Sequence, residues 1–159
     1  MARLFWKSKL KLKPYAQIMN KDGEIIIIED DEDDRFLLEE VFNALQYPNK
    51  RVYFPDGLAA LEYLHSNTSG PFIILSDINM PRLNGLELRN KLQTDAALNL
   101  KCIPYLFFST AVNQKVVIDA YSSSAQGFFV KQTSFAELLD TITVIIEYWK
   151  RCAAPNNFT

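Results

Sequence analysis

One theme repeats along the chain from Glu24 onward: a short apolar run rich in Ile, Val and Phe, followed by a longer amphipathic segment. Short runs of this composition are typical of buried β-strands. The five strand candidates are Glu24–Ile28, Arg51–Phe54, Phe72–Ser76, Ile103–Phe108 and Gly127–Val130. Strands that alternate with helices imply right-handed crossovers. We therefore predict an α/β fold with a doubly wound, five-stranded parallel sheet.

Each segment that follows a strand contains a polar residue able to cap a helix and then apolar residues at helical spacing, so we predict five helices. The first helix starts near Asp33 or Asp34. The other four are capped by Asp56, Asn84, Asn113 and Ser134. The first helix should bury Phe36, Leu37, Val41, Phe42 and Leu45. The last helix should run to about Arg151 and pack on the sheet through its wide apolar face.

The length of 159 residues suits one globular domain, and 48% apolar with 23% charged residues is an ordinary soluble composition. No apolar stretch approaches the ~20 residues of a membrane span, so we expect none. The two cysteines, Cys102 and Cys152, lie far apart and form no CxxC pattern, which leaves structural zinc and a disulfide framework unsupported. A cytoplasmic location fits this cysteine usage best.

The charge is unevenly distributed along the chain. Residues 1–21 hold six basic side chains and no acid, whereas residues 22–159 hold 11 basic and 19 acidic ones, a net charge of −8. An acidic body without a basic stripe argues against nucleic-acid binding, which depends on clustered Lys and Arg. We divide the chain into a flexible basic leader at 1–21, a folded domain at 22–151 and a short tail at 152–159.

Polar residues follow four of the predicted strands: Glu29–Asp30–Asp31, Asp77, Thr110 and Lys131. In doubly wound sheets the functional crevice lies beyond the carboxyl ends of the strands, so these side chains should converge. Carboxylates brought together repel one another unless a cation lies between them. Oxygen ligands without His or Cys favour Mg²⁺, and a nearby ammonium and hydroxyl can bind a phosphoryl group. The pattern thus predicts a phosphoryl-transfer site, in which an aspartate can be the nucleophile.

Four segments, IIIIEDDEDDRFLLEEVF, IILSDINMPRLNGLEL, YLFFSTA and AQGFFVKQ, together resemble the receiver domain of two-component response regulators, over Glu24 to about Arg151. The resemblance implies a flavodoxin-like, CheY-like fold with strand order 2-1-3-4-5. It implies phosphorylation of Asp77 and binding of Mg²⁺ by Glu29, Asp30 and Asp77, with Asn79 contributing its backbone carbonyl. It further implies that Lys131 pairs with the phosphoryl group, that Thr110 is the switch hydroxyl and that Phe128 is the switch aromatic.

Two positions depart from the family pattern. Gln132 stands where the family commonly has a proline after the lysine, joined by a cis bond. Because a non-proline cis bond costs ~3 kcal/mol, we expect a trans bond here and a different lysine placement. Glu29 replaces the commoner aspartate and keeps its charge with a longer reach.

By this resemblance we expect a single-domain response regulator, because no output domain would fit in the eight residues after Arg151. Its expected partners are a histidine kinase or histidine phosphotransfer protein and a downstream protein target. Tyr148 and Trp149 on the last helix are also compatible with a homodimer surface. The protein would assist its own phosphorylation and dephosphorylation without being an enzyme.

Two other classes stay open at this point. A degenerate receiver would act as a constitutive interaction module, a hypothesis that Gln132 alone supports. An aspartate-nucleophile phosphatase would need a general acid/base two residues after Asp77, where this chain has Asn79. An amide cannot exchange the proton, so turnover on a phosphate ester should be absent.

Overall fold

The computed structural model describes residues 19–68, 70–110 and 112–154. Within them five parallel strands form one sheet in the order β2-β1-β3-β4-β5. The strands are β1 Ile25–Ile28, β2 Arg51–Phe54, β3 Ile73–Ser76, β4 Tyr105–Ser109 and β5 Gly127–Val130. This order confirms the doubly wound, flavodoxin-like fold, with the winding reversing between β1 and β3.

The described residues contain six helices, one more than the sequence predicts. They are α1 Glu32–Leu45, α2 Gly57–Ser66, α3 Gly85–Thr94, α4 Ala96–Asn99, α5 Gln114–Ser122 and α6 Phe135–Arg151. The additional helix is the short α4. It forms because the Asp95 carboxylate accepts the backbone N–H groups of Ala97 and Leu98 immediately after α3 ends.

Four of the predicted helix caps are confirmed, and one is wrong. Asp56, Asn84, Asn113 and Ser134 each accept a backbone N–H in the first turn of their helix. The first helix instead begins earlier than predicted, at Glu32, because Asp31 is its cap and accepts the N–H of Asp34 at 3.0 Å. Asp34 therefore lies inside the first turn of α1, where its carboxylate is not used in capping.

Both faces of the sheet carry a hydrophobic core, as a parallel sheet requires. Leu38, Val41 and Phe42 of α1 pack with the apolar face of α6 on one side. Helices α2, α3, α4 and α5 cover the other side. The predicted burial of Phe36 is wrong: its side chain is 68% exposed, because two residues, or about 200° of helical rotation, separate it from buried Leu38.

The packed domain extends beyond the limits of 22 and 151 predicted from sequence. Met19 is buried in the core and its N–H donates to the Lys101 carbonyl at 2.6 Å. Ala154 is fully buried at the other end. Residues 19–21 thus differ from the predicted flexible leader, while the rest of that leader, at 1–18, and residues 155–159 of the tail lie outside the described residues.

Candidate phosphoacceptor site

The acidic pair lies directly after β1, where the sheet winding reverses. Glu29 is buried, with its backbone N–H bonded to the Phe54 carbonyl at 3.0 Å and its Oε1 accepting the N–H of Asp31 at 3.0 Å. Burial raises the pKa of Glu29 to about 7, against the opposing effect of hydrogen bonds from Lys131 and Asp31. Asp30, the next residue, is exposed, so the two acids differ sharply in their environments.

Asp77 follows β3 and is held by the strands on both sides. Its N–H donates to the Ile28 carbonyl at 3.0 Å, which places it beside the end of β1. Its Oδ1 accepts the backbone N–H of Ile78 and the hydroxyl of Ser109, each at 2.6 Å. Its side chain is 12% exposed, so the carboxylate is accessible from the crevice while its orientation is fixed.

The loop after Asp77 packs tightly against the start of α3. The N–H of Gly85 donates to the Ile78 carbonyl at 2.9 Å, and a Cβ at position 85 would come within 2.1 Å of the Asp77 carbonyl oxygen. Only a glycine permits this approach. The residue types of the loop thus fix where the Asp77 backbone lies.

Lys131 follows β5 and reaches across the edge of the sheet to three carboxylates. Its Nζ lies 2.9 Å from Asp34 Oδ2 and 3.3 Å from Asp77 Oδ2, and it also donates to Glu29 Oε2. Burial alone lowers the pKa of Lys131, but hydrogen bonds to Asp34 and Glu29 outweigh it, and the pKa lies well above its ordinary value. Lys131 is therefore a buried, fully charged ammonium inside an acidic cluster.

The bond between Lys131 and Gln132 is trans, as are all peptide bonds among the described residues. The predicted trans bond is confirmed. The backbone N–H of Lys131 donates to the Ser109 carbonyl at 2.9 Å, which continues the β4–β5 pairing one residue past the strand. The lysine is thus aimed into the site by sheet pairing, although proline is absent.

The carboxylates of Glu29, Asp30 and Asp77 each offer an oxygen within 4.8 Å of the others. These three side chains could therefore hold one metal ion between them. The donor set is all oxygen, which fits a hard divalent cation. Asn79 lies exposed in the loop two residues after Asp77, and its role as a carbonyl ligand stays a prediction.

The two predicted switch residues lie in different settings. Phe128 is half-buried and packs against the core on the α3 side, with its ring centroid 6.2 Å from that of Phe107. Thr110 is exposed. The hydroxyl that contacts Asp77 belongs to Ser109, because β4 ends one residue later than the predicted Phe108. The geometry thus favours Ser109 over Thr110 as the hydroxyl of the site.

The sequence interpretation misses two side chains of the site, Ser109 and Asp34. The one-residue error at the end of β4 hid Ser109. No sequence signal sets Asp34 apart from its neighbours, because all six residues from Glu29 to Asp34 are acidic.

A three-layer α/β fold with an acidic crevice and a lysine beside a fixed aspartate defines a receiver domain. The chain belongs to the response regulator receiver domain family, whose family model matches residues 25–143. The resemblance seen in the sequence is thereby confirmed.

Two curated proteins of similar length are among the relatives of this chain. Response regulator Rcp1 of Synechocystis is 27% identical over 135 residues, which cover 82% of this chain and 90% of Rcp1. Chemotaxis protein CheY-3 of Vibrio cholerae is 28% identical over 131 residues, which cover 82% of this chain and 96% of CheY-3.

Solved structures show the same fold. The phosphorylated cyanobacterial phytochrome response regulator RcpA is 27% identical, with a TM-score of 0.75 over 83% of this chain and 97% of RcpA. The Mn²⁺-bound form of Rcp1 is 24% identical, with a TM-score of 0.71 over 83% of this chain and 99% of that structure. Among the residues that the structure describes, no helix is long and apolar enough to cross a membrane.

Proposed function

We propose that this chain is a response regulator of a two-component phosphorelay that accepts a phosphoryl group on Asp77 from a histidine kinase or phosphotransfer protein, with Mg²⁺. One observation carries the proposal: Asp77, two further acids and a buried lysine meet at one edge of the sheet. The partners belong to the cytoplasm, and we assign the chain there.

The reaction at Asp77 is a transfer between two nucleophiles. An Asp77 carboxylate oxygen attacks the phosphorus, and the bond between phosphorus and the donor's leaving atom breaks with its electron pair leaving on the donor. The product is an acyl phosphate on Asp77. The fixed orientation of the carboxylate by Ile78 and Ser109 removes much of the entropic barrier to this attack.

Charge develops on the phosphoryl oxygens during the transfer, and the Lys131 ammonium lies where it can neutralise part of it. Mg²⁺, when bound by Glu29, Asp30 and Asp77, would supply further stabilisation of those oxygens. Rcp1 has been solved with bound Mn²⁺, which is compatible with a divalent site of this kind. The buried ammonium also keeps the acids close together in the absence of metal.

The proposed output is a change of surface on α5, β5 and α6. Phosphorylation adds about −1.5 to −2 charges at Asp77, and the Ser109 hydroxyl and half-buried Phe128 are positioned to respond. This part of the molecule exposes six large apolar side chains: Ile118, Tyr121, Val130, Phe135, Val144 and Tyr148. Trp149 instead packs against the core, so of the two aromatics in the predicted homodimer surface only Tyr148 is available.

The test is intact-protein mass after incubation with acetyl phosphate, in Mg²⁺ or in EDTA. Wild type should gain one phosphoryl group in Mg²⁺ and none in EDTA, and Asp77→Asn should gain none. Asp33→Asn, which removes an exposed acid of α1, is the matched control and should be modified like wild type. Absence of the adduct on a folded wild type would refute phosphoacceptor function and leave the constitutive interaction module.

The protein acts only on its own phosphoryl group in this proposal and is not an enzyme with a separate substrate. Asn79 occupies the position at which an aspartate-nucleophile phosphatase carries its acid, and it is an amide. Incubation with p-nitrophenyl phosphate should release no p-nitrophenol beyond the background of Asp77→Asn. Steady turnover that Asp77→Asn abolishes would establish a phosphatase instead.

A further inference from the structure

Lys131 has three ammonium N–H donors, and all three are directed at carboxylates: Glu29, Asp77 and Asp34. Two of these acids, Glu29 and Asp77, also belong to the group whose oxygens can hold one metal ion. Asp34 does not belong to that group. Lys131 therefore contacts two acids of the candidate metal-binding group and one acid, Asp34, outside it.

A divalent cation bound by Glu29 and Asp77 would compete with Lys131 for their carboxylates. Asp34 lies outside that group, so its carboxylate would stay available to the ammonium. Its side chain is 39% exposed and lies at the rim of the crevice, whereas Lys131 is 6% exposed. The Asp34 contact thus fixes the ammonium from the open side of the site.

We propose that Asp34 is a positioning residue that holds the Lys131 ammonium beside Asp77 while metal and phosphoryl donor bind. The inference rests on the proposed function of the same site. Gln132 gives the backbone after Lys131 none of the rigidity of a proline ring. The Asp34 carboxylate, fixed in the first turn of α1, supplies that restraint from the opposite side.

The neighbouring residue Asp33 provides a matched control. Both acids lie in the first turn of α1, so the loss of either charge has the same effect on the helix dipole. Asp33 is exposed and is not one of the three carboxylates bonded to Lys131. Comparing Asp34→Asn with Asp33→Asn therefore isolates the contact with the lysine from the loss of charge.

The first measurement does not depend on phosphorylation. In a ¹H–¹⁵N spectrum of the lysine ammonium groups with Mg²⁺ present, an ammonium held by carboxylates exchanges slowly enough to be seen. The Lys131 signal, assigned by its loss in Lys131→Met, should persist in wild type and Asp33→Asn and vanish in Asp34→Asn. Persistence in Asp34→Asn, or absence from wild type, would overturn the proposal.

The second measurement is the rate of adduct formation with acetyl phosphate. Asp34→Asn should lower the maximal rate about tenfold relative to Asp33→Asn, with little change in the donor concentration at half-maximal rate. Asp34→Glu, which keeps the carboxylate, should recover part of the loss. Mg²⁺ affinity by calorimetry should match between the two Asn variants.

These results separate the two ideas. If wild type forms no adduct, the proposed function fails, and the ammonium spectrum alone decides the role of Asp34. If wild type reacts and Asp34→Asn reacts as fast as Asp33→Asn, the positioning role is wrong and the phosphoacceptor site stands. A much weaker Mg²⁺ affinity in Asp34→Asn than in Asp33→Asn would make Asp34 part of the metal site and would also overturn the proposal.

Discussion

Ser109 is the last residue of β4, and its hydroxyl donates a hydrogen bond to Asp77 Oδ1 at 2.6 Å. The adjacent Thr110, which the sequence pattern favours as the switch hydroxyl, is exposed. The difference comes from one residue of strand length. Because side chains alternate along a strand, a shift of one residue decides which of two neighbouring hydroxyls points at the acceptor.

Ser109→Ala should therefore have a larger effect than Thr110→Ala. The serine variant loses a hydrogen bond to a charged acceptor, and we expect its free energy of unfolding to fall by about 1–2 kcal/mol. The exposed threonine should contribute less than about 0.5 kcal/mol. Urea denaturation of both variants checks this. Equal losses would show that the two hydroxyls are equally engaged.

The three clustered acids should destabilise the metal-free protein. Asp30 is exposed and offers an oxygen within 4.8 Å of those of Glu29 and Asp77. Two charges about 4 Å apart repel by about 1 kcal/mol in water. Asp30→Asn should thus raise the free energy of unfolding in EDTA by up to about 1 kcal/mol.

The same substitution should reduce the stabilisation that Mg²⁺ gives, because the ion loses a ligand. Denaturation midpoints of wild type and Asp30→Asn, each in EDTA and in Mg²⁺, measure both effects. A midpoint in EDTA that is unchanged or lower in the variant would contradict the repulsion argument. Asp33→Asn serves as the control for removal of a nearby acid outside the cluster.

Gly85 should tolerate no side chain. A Cβ there would come within 2.1 Å of the Asp77 carbonyl oxygen, and the Gly85 carbonyl also accepts the Tyr105 hydroxyl at 2.9 Å. Gly85→Ala must displace backbone, and we expect a loss of about 2–4 kcal/mol in the free energy of unfolding.

Gly127→Ala is the control for this test. A Cβ at Gly127 would meet side-chain atoms of Leu106 and Phe129 at 3.1 and 3.2 Å, and these side chains can move. Its cost should be about 1 kcal/mol or less. Thermal or urea unfolding of the two variants measures the difference. Equal stability of the two variants would show that the loop after Asp77 can relax.

The five-stranded sheet could be predicted from the sequence, because short runs rich in Ile, Val and Phe are typical of buried strands. The sequence also predicts that Asp77 and Lys131 lie at the same edge of the sheet. Each directly follows a strand, and the carboxyl ends of parallel strands meet at one edge. These predictions depend on topology, which tolerates an error of one residue. The side-chain contacts of the site do not tolerate it.

The predictions that failed depend on local geometry. All six residues from Glu29 to Asp34 are acidic, several of them could cap a helix, and the sequence does not distinguish Asp31 from Asp33. The packing of Leu38, Val41 and Phe42 sets the rotation of the helix. In that orientation Phe36 faces solvent and Asp34 faces Lys131.

The stability of the edge of the sheet at β2 should depend on pH through Glu39. The Glu39 carboxylate accepts hydrogen bonds from Arg51, with Nη2 to Oε1 at 2.6 Å and Nε to Oε2 at 3.2 Å, and from the Tyr53 hydroxyl at 2.6 Å. The Arg51 hydrogen bond, aided by Tyr53 and opposed by burial, lowers the pKa of Glu39 below its ordinary value of 4.5.

A carboxylate whose pKa is lower in the folded state stabilises the fold above its unfolded pKa, and the stabilisation is lost as pH falls through the folded value. Glu39→Gln should therefore be less stable than wild type by about 1 kcal/mol at pH 7, a modest value because the side chain is 36% exposed. The difference should shrink as pH falls through the lowered pKa of Glu39 and disappear once the wild-type carboxylate is protonated. Urea denaturation from pH 7 to pH 3, with exposed Glu40→Gln as the control, measures it. A difference that stays constant across this range would show that the charge on Glu39 contributes nothing to stability.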